Sequence, residues 1–163
     1  MSVLPSATRQ QMGYNSRSDN THERHPMSNN ILLNLQDEPR FADIRAEDVR
    51  PAVRQAIAEA REAVAAVKNQ DAAATWLNTV EPLTDATERV GRIWGVVAHL
   101  NSVADTPELR AAYNELMPEV TVFFTEIGQD IELYERFKAI KASPQFDKLD
   151  AARPVSYTHL TLP

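Results

Sequence analysis

Histidines and carboxylates are the side chains of this 163-residue chain that could bind a metal ion or act as acids and bases. A zinc hydrolase helix typically carries His-Glu-x-x-His, which places two imidazoles on one helical face. No such motif occurs here. His22 and His25 lie in a polar segment and could form a two-histidine metal pair, but that spacing is more typical of solvated residues. His99 stands alone near the end of a helical pattern, which indicates a hydrogen-bonded structural residue.

Other kinds of reactive chemistry find little support. The chain has no cysteine, which excludes thiolate metal sites and disulfides. Gly91 and Gly95 lie inside a helical pattern and form no phosphate-binding loop. Paired carboxylates could hold a metal or transfer protons, but on amphipathic helices they usually form solvated faces. The carboxylates weighed in this way are Asp43, Glu47, Asp48, Glu115, Glu119 and Glu126. We therefore expect no catalytic, cofactor-binding or metal-binding residue in this chain.

The net charge and the hydropathy pattern of the sequence limit the kinds of partner that the chain could bind. Seventeen basic residues against 23 acidic ones give a net charge of −6. An acidic surface repels phosphates, so nucleic-acid binding is not expected. No apolar run approaches the roughly 18–20 residues that a membrane helix needs, and the N-terminus lacks the apolar core of a secretory signal. These features predict a cytoplasmic protein with no membrane partner.

Apolar residues recur at steps of three and four along most of the chain, which is the period of a helix buried on one face. Proline and threonine mark the breaks: Pro82 should kink or split the second helix, and Thr106-Pro107 should start the third. Gly128 is the expected C-terminal cap of the third helix. The four predicted stripes contain Val49, Val53, Ile57, Ala60, Val64 and Val67; Trp76, Val80, Leu83, Thr87, Val90, Trp94 and Val97; Leu109, Tyr113, Leu116, Val120, Phe123 and Ile127; and Leu133, Phe137 and Ile140.

Scarce glycine and these stripes predict an all-α fold, an antiparallel bundle or array of about four to five helices. Ser143-Pro144 resembles the start of the fifth, leading into Phe146. Residues 1–30 are expected to be a disordered tail, because the segment lacks apolar residues to bury. They could be an Arg/Ser-rich targeting peptide, but an extension misassigned upstream of Met27 is the favoured interpretation.

Several stretches in this pattern resemble the N-terminal helical region of the thimet-oligopeptidase family of zinc metallopeptidases, in its oligopeptidase A branch. The resemblance is carried by His99-Leu100-Asn101-Ser102-Val103, by Thr106-Pro107-Glu108-Leu109-Arg110 and by Tyr113. "FADIRAEDVRPAVRQAIAEAR" and "TWLNTVEPL" resemble the first two helices of the same region. The similarity assigns residues 31–154 to an oligopeptidase A-like helical domain.

The resemblance implies a helical enzyme with a deep channel that admits short peptides. It further implies a zinc ion held by His-Glu-x-x-His in a C-terminal catalytic half, which is missing here. This chain would contribute to the channel wall, bind no zinc itself and be inactive alone. Residues 155–163, "VSYTHLTLP", depart from the family and resemble a translated sequencing adapter, although a short strand-like tail is the alternative. A stand-alone helical module that binds other proteins is the rival interpretation.

Overall fold

Four α-helices build the part of the chain that the computed structural model describes, residues 30–35, 39–144 and 146. They are α1 (Ala46–Lys68), α2 (Glu81–Val103), α3 (Pro107–Gly128) and α4 (Ile131–Lys141). Short 3₁₀ turns at Ile31–Asn34 and Phe41–Asp43 precede α1, and a π-helical turn at Trp76–Val80 leads into α2. No β-strand occurs in these described ranges, so the predicted all-α class is confirmed.

Helices α1, α2 and α3 form a three-helix bundle in which each helix packs against the other two. Short connections reverse the chain twice, so α2 runs antiparallel to its neighbours. Helices α1 and α3 consequently run parallel. Their ion pairs show this directly, because Arg50–Glu115, Arg54–Glu119 and Arg61–Glu126 all join residues 65 positions apart.

The bundle core contains most of the apolar stripes predicted for α1 and α3, together with small alanines on the same faces. On α2 the buried face is rotated from the predicted stripe, because Ile93, Val96 and Leu100 are buried whereas Thr87 and Trp94 are only half-buried. Phe123 is 1% exposed and Leu116 is fully buried, which places the α3 stripe at the centre of the bundle. Burial of each large apolar side chain contributes about 1.5–3 kcal/mol. The core consists of Leu32, Val49, Ala52, Val53, Ala56, Ile57, Ala60, Val90, Ile93, Val96, Val97, Leu100, Leu109, Ala112, Leu116, Val120 and Phe123.

The first described residues belong to the fold rather than to a tail. Asn30 is 5% exposed and its side chain accepts a hydrogen bond from the N–H of Leu32 at 3.0 Å. Its Nδ2 donates to the carbonyl of Asp48 at 2.8 Å, which ties the 3₁₀ turn to the first turn of α1. The predicted tail of residues 1–30 stays a prediction, because all of it except Asn30 lies outside the described residues. Residues 1–29, 147–154 and 155–163 lie outside the described residues.

Helix boundaries confirm one of the predicted signals and modify two. Pro82 is the second residue of α2, and the π-helical turn Trp76–Val80 continues directly into this helix, so the change at Pro82 is one of helix type rather than a split. Thr106 caps α3 by accepting a hydrogen bond from Leu109 N–H at 3.2 Å. Gly128, in contrast, is not a left-handed cap: it is the last residue of α3, Gln129 caps the helix, and no described glycine has a positive φ. Right-handed backbone at this site makes glycine unnecessary.

Helix α4 closes the other end of the bundle with a second small core. Its predicted inward residues Leu133, Phe137 and Ile140 are all buried. They pack with Val67 at the end of α1 and with residues of the π-helical turn and the start of α2. Phe146 joins this cluster from a 3₁₀ turn after α4, while most of the predicted fifth helix lies outside the described residues.

Candidate functional site

A charged ladder connects α1 and α3 along one side of the bundle. We use this name for three arginines of α1 and the three glutamates of α3 that pair with them. The shortest N–O distances are 2.7 Å for Arg50–Glu115, 2.7 Å for Arg54–Glu119 and 2.5 Å for Arg61–Glu126. The parallel helices and their common 65-residue offset repeat the same pairing at successive levels.

Two groups of the ladder, Glu115 and Arg54, have shifted pKa values. Hydrogen bonds from Arg50 and Arg54 lower the pKa of Glu115, and hydrogen bonds to Glu119 and Glu115 raise the pKa of Arg54. An acid or base for catalysis needs a pKa near the working pH. These shifts move Glu115 and Arg54 away from neutrality, so neither is suited to proton transfer. Exposed ion pairs contribute about 0–1 kcal/mol each. The ladder therefore links two parallel helices at the bundle surface.

A second charged cluster fastens the end of α1 to α4. Lys68 Nζ lies 2.7 Å from Asp130 Oδ2 and 2.8 Å from Glu132 Oε2. Arg136 Nη2 donates to the carbonyls of Lys68 and Gln70 at 2.9 and 2.6 Å. A guanidinium at this position satisfies carbonyls that a helix end leaves without partners. The cluster is thus a helix-end clasp rather than a binding site.

The remaining carboxylates singled out from the sequence also have structural partners. Asp43 lies 3.4 Å from Arg40, and Glu47 lies 3.9 Å from Arg45. Asp48 accepts a hydrogen bond from the backbone N–H of Arg45 at 3.0 Å, which caps α1. The sequence pattern identified these groups as surface carboxylates but gave no indication that Glu115, Glu119 and Glu126 face α1.

His99 lies on the exposed side of α2, away from the charged ladder. Its ring contacts Phe41, with centroids 5.1 Å apart and planes inclined by 55°. An aromatic contact takes the place of the hydrogen bond that was expected for this histidine. His22, His25 and His159 lie outside the described residues.

The described residues contain neither a cluster of metal ligands nor a helix that could span a membrane. Within them, no three His, Cys, Asp or Glu side chains come together in a group able to hold a metal ion. His99, with its exposed ring against Phe41, does not fit a zinc ligand set. Over the same ranges, no helix has the length and hydropathy to cross a bilayer.

A groove with a cavity volume of about 320 Å³ lies between the first 3₁₀ turn and α2. Both arginines that line it are paired: Arg89 lies 3.1 Å from Glu59, and Arg92 contacts Glu88 one helical turn away. Asp85 also lines the groove, and Leu32, Leu33 and Leu35 line the opposite wall.

An apolar groove lies between α2 and α3. Trp94 and Tyr113 stack across it, with ring centroids 4.7 Å apart and planes only 8° from parallel. Met117 and Phe124 follow Tyr113 along α3 and border the groove, with 45% and 39% of their surface exposed. Gly91 and Gly95 flank it on α2, and a Cβ atom built on either would meet no heavy atom within 4 Å. We call these six residues the α2/α3 groove and regard it as the candidate interaction site.

Comparison with known proteins identifies the family to which this helical unit belongs. Residues 53–155 match the family model for the neurolysin/thimet oligopeptidase N-terminal domain. Oligopeptidase A of Haemophilus influenzae is 40% identical over 117 residues, which cover 72% of this chain and 17% of that enzyme. Oligopeptidase A of Escherichia coli is 37% identical over 124 residues, 76% of this chain and 18% of the relative. The organellar oligopeptidase A of Arabidopsis thaliana is 39% identical over 127 residues, 78% of this chain and 16% of the relative.

The chain thus spans less than a fifth of the length of these relatives. The matched segment includes most of α1 and all of α2, α3 and α4. The resemblance drawn from the His99–Val103 and Thr106–Arg110 stretches is confirmed, and this chain belongs to the neurolysin/thimet oligopeptidase family, matching its N-terminal domain.

Proposed function

We propose that this chain is the N-terminal, non-catalytic helical portion of a zinc metallo-oligopeptidase that hydrolyses short peptides. The observation that carries the proposal is the match of residues 53–155 to the N-terminal domain of this family. The oligopeptidase A names of its relatives support short peptides as the substrates of the whole enzyme. In that enzyme, the helices described above would form part of the wall of the substrate channel.

Zinc would be held elsewhere in such an enzyme. The described residues offer no group of ligands to a metal ion, and the full sequence contains neither cysteine nor His-Glu-x-x-His. A catalytic zinc ion needs three protein ligands and an open position for water. No step of peptide hydrolysis is therefore assigned to residues of this chain. Its contribution would be the shape and rigidity of the channel wall.

The first experiment tests whether the chain is silent alone. The purified 163-residue chain is incubated with a quenched fluorescent peptide and added zinc, beside a blank with zinc only. We expect the two rates to agree. Peptide turnover that follows the chain through purification and is abolished by a chelator would contradict the proposal.

A chimera tests the positive part of the proposal. Residues 33–146 of this chain replace the aligned segment of E. coli oligopeptidase A, the 37%-identical relative. We expect the chimera to hydrolyse the peptide that the parent enzyme cleaves, and a chelator to abolish that activity. The parent enzyme lacking the aligned segment is the matched control and should be inactive. A folded chimera without activity would argue against the proposed role.

The rival is a stand-alone helical module that binds a partner helix through an exposed apolar face. The α2/α3 groove is the observation that favours it, because Met117 and Phe124 are exposed there. Such a module should unfold cooperatively as a monomer or dimer. An enzyme portion that needs the rest of its polypeptide should instead expose apolar surface, bind hydrophobic dyes and aggregate. Urea unfolding combined with light scattering distinguishes the two.

The site of action is proposed as the cytoplasm. Among the relatives, the Arabidopsis enzyme named above is called chloroplastic/mitochondrial, so family members differ in compartment. Fusing residues 1–30 of this chain to a fluorescent protein would test the alternative, a targeting peptide. Diffuse cytoplasmic fluorescence is expected, and accumulation in an organelle would contradict the proposal.

A further inference from the structure

Three helices that all pack against one another leave three grooves on the outside of their bundle. Helices α1, α2 and α3 are arranged in this way. What covers each groove can be read from the contacts of the described residues, and the three grooves differ sharply.

The first 3₁₀ turn covers the groove between α1 and α2. Leu32 is fully buried within the bundle core. Asn30 donates to the carbonyl of Asp48 on α1 at 2.8 Å, and Arg89 of α2 donates to the carbonyl of Leu33 at 3.4 Å. The turn is therefore attached to both helices, and this groove is closed.

The charged ladder covers the groove between α1 and α3. Arginines of one helix and glutamates of the other meet at N–O distances of 2.5–2.7 Å. These side chains remain 36–55% exposed, as is usual for ion pairs that face water. Burying such a face under another protein segment would cost the hydration of six charges. We therefore expect this groove to face solvent.

The α2/α3 groove differs from both. Because α2 and α3 are antiparallel, Gly91 and Met117 are both displaced toward the same end of the bundle from the Trp94–Tyr113 stack, by about 4.5–6 Å. Gly91 of α2 therefore lies at about the level of the exposed Met117 of α3. None of the described residues approaches a Cβ position on Gly91 or Gly95 within 4 Å.

We propose that the α2/α3 groove is the docking site for an apolar helix from the remaining part of the oligopeptidase polypeptide. This inference rests on the proposed function and adds which face of the domain joins the enzyme. More than four-fifths of each relative lies outside the matched segment, which supplies a large covalently linked partner. Exposed glycines on a helix let a second helix approach at the short end of the usual 8–10 Å separation. An exposed apolar patch beside them indicates a surface that is buried in the complete protein.

Two substitutions separate docking from folding. Gly95→Leu should stabilise α2 in the isolated chain, because leucine is a better helix former than glycine and its Cβ meets open space. In the chimera the same side chain should obstruct the docked helix. The matched control is Ala66→Leu, which places the same side chain at an exposed position of α1.

The expected results are opposite for the two proteins. Gly95→Leu should raise the urea midpoint of the isolated chain yet lower the peptide-hydrolysis activity of the chimera about tenfold or more, a change of about 1.4 kcal/mol. Ala66→Leu should leave chimera activity within about twofold, as is usual for surface positions. A Gly95→Leu chimera as active as the Ala66→Leu chimera would overturn the docking proposal.

Hydroxyl-radical footprinting gives a second readout that does not depend on activity. Met117 should be oxidised readily in the isolated chain and protected in the chimera. Equal oxidation in both overturns the proposal. Protection in the isolated chain overturns it too: concentration-dependent protection indicates a second copy in the groove, and concentration-independent protection indicates another segment of this chain. An inactive unsubstituted chimera would instead count against the proposed function. A failure of the proposed function can therefore be distinguished from a failure of the docking proposal.

Discussion

Trp94 of α2 and Tyr113 of α3 stack almost face to face, with ring centroids 4.7 Å apart and an angle of 8° between their planes. The two residues lie at the edge of the bundle core, half-buried, and link the α2 and α3 stripes. Below the stack lies the buried core, and outside it lies the exposed α2/α3 groove. The pair therefore lies between the buried core, which stabilises the fold, and the exposed groove, which we propose as the docking site.

A double-mutant cycle measures this pair. Trp94→Ala and Tyr113→Ala should each lower the free energy of unfolding. The loss in the double variant should be smaller than the sum of the two single losses by about 0.5–1.5 kcal/mol, the usual energy of an aromatic pair. Urea unfolding of the two single variants and the double variant gives the coupling. Additive losses would show that the rings stack without stabilising each other.

Adjacent residues on α3 test the assignment of its faces. Leu116 is fully buried and Met117 is 45% exposed. Leu116→Ala should cost about 2–5 kcal/mol, because it leaves a cavity in the core. Met117→Ala should change the free energy of unfolding of the isolated chain by no more than about 0.5 kcal/mol. Thermal unfolding of both variants checks the contrast, and similar losses would contradict the helical register.

Asp105 in the α2–α3 connection combines unusual backbone with an ion pair. Its φ is 35°, in the left-handed region that β-branched residues avoid. Its carboxylate accepts hydrogen bonds from Arg110 Nε and Nη2 at 2.8 and 2.6 Å. Asp105→Asn should be mild, because asparagine tolerates this backbone and the lost ion pair is exposed. Asp105→Val should lower the urea midpoint further, since it adds backbone strain; equal midpoints would contradict this.

Acid should lower the free energy of unfolding of the bundle, because it protonates carboxylates of the charged ladder and of the helix-end clasp between α1 and α4. Hydrogen bonds from Arg50 and Arg54 hold the pKa of Glu115 below its ordinary value of 4.5. For Asp130, partial burial acts to raise the pKa, but hydrogen bonds from Lys68 and the N–H of Leu133 outweigh it and the net pKa is lowered from 3.8. Groups with a depressed folded pKa stabilise the fold above their unfolded pKa and lose that contribution as the pH falls.

The free energy of unfolding should therefore be level near neutrality and decline as the pH falls below about 4.5, the ordinary pKa of Glu115. Glu115→Gln should make this decline shallower. Glu62→Gln, at an exposed position of α1 outside the ladder, is the matched control and should follow the unsubstituted chain. Urea midpoints at several pH values between neutrality and strong acid supply the measurement. An unchanged decline in Glu115→Gln would show that other groups cause it.

Much of the fold could be predicted from local signals. The stripe Leu133, Phe137 and Ile140 is buried as its spacing indicates, because a helix places residues three and four apart on one face. Thr106 caps α3 because a threonine side chain before a proline-started helix satisfies an N–H that lacks a partner. Such interactions act within one or two turns of chain, so the sequence alone reveals them.

Pairing between distant residues could not be predicted in the same way. Arg54 and Glu119 lie on the polar sides of their own helices, and either could have faced only water. Their contact depends on the parallel packing of α1 and α3, which no local pattern encodes. Likewise, Gly91 and Gly95 were compatible with close packing or with simple tolerance, and the structure shows open space in the described bundle.

The order of apolar residues, prolines and caps by itself determined that this chain forms helices and, for α1, α3 and α4, which stripe is buried. Those properties follow from hydrogen bonds and side-chain spacing within a single helix. Only the tertiary structure decided that Asn30 and Leu32 close one groove, that arginines and glutamates close another, and that Met117 and Phe124 stay exposed in the third. These outcomes depend on how three helices are rotated against one another, and that rotation is set by packing across the whole core.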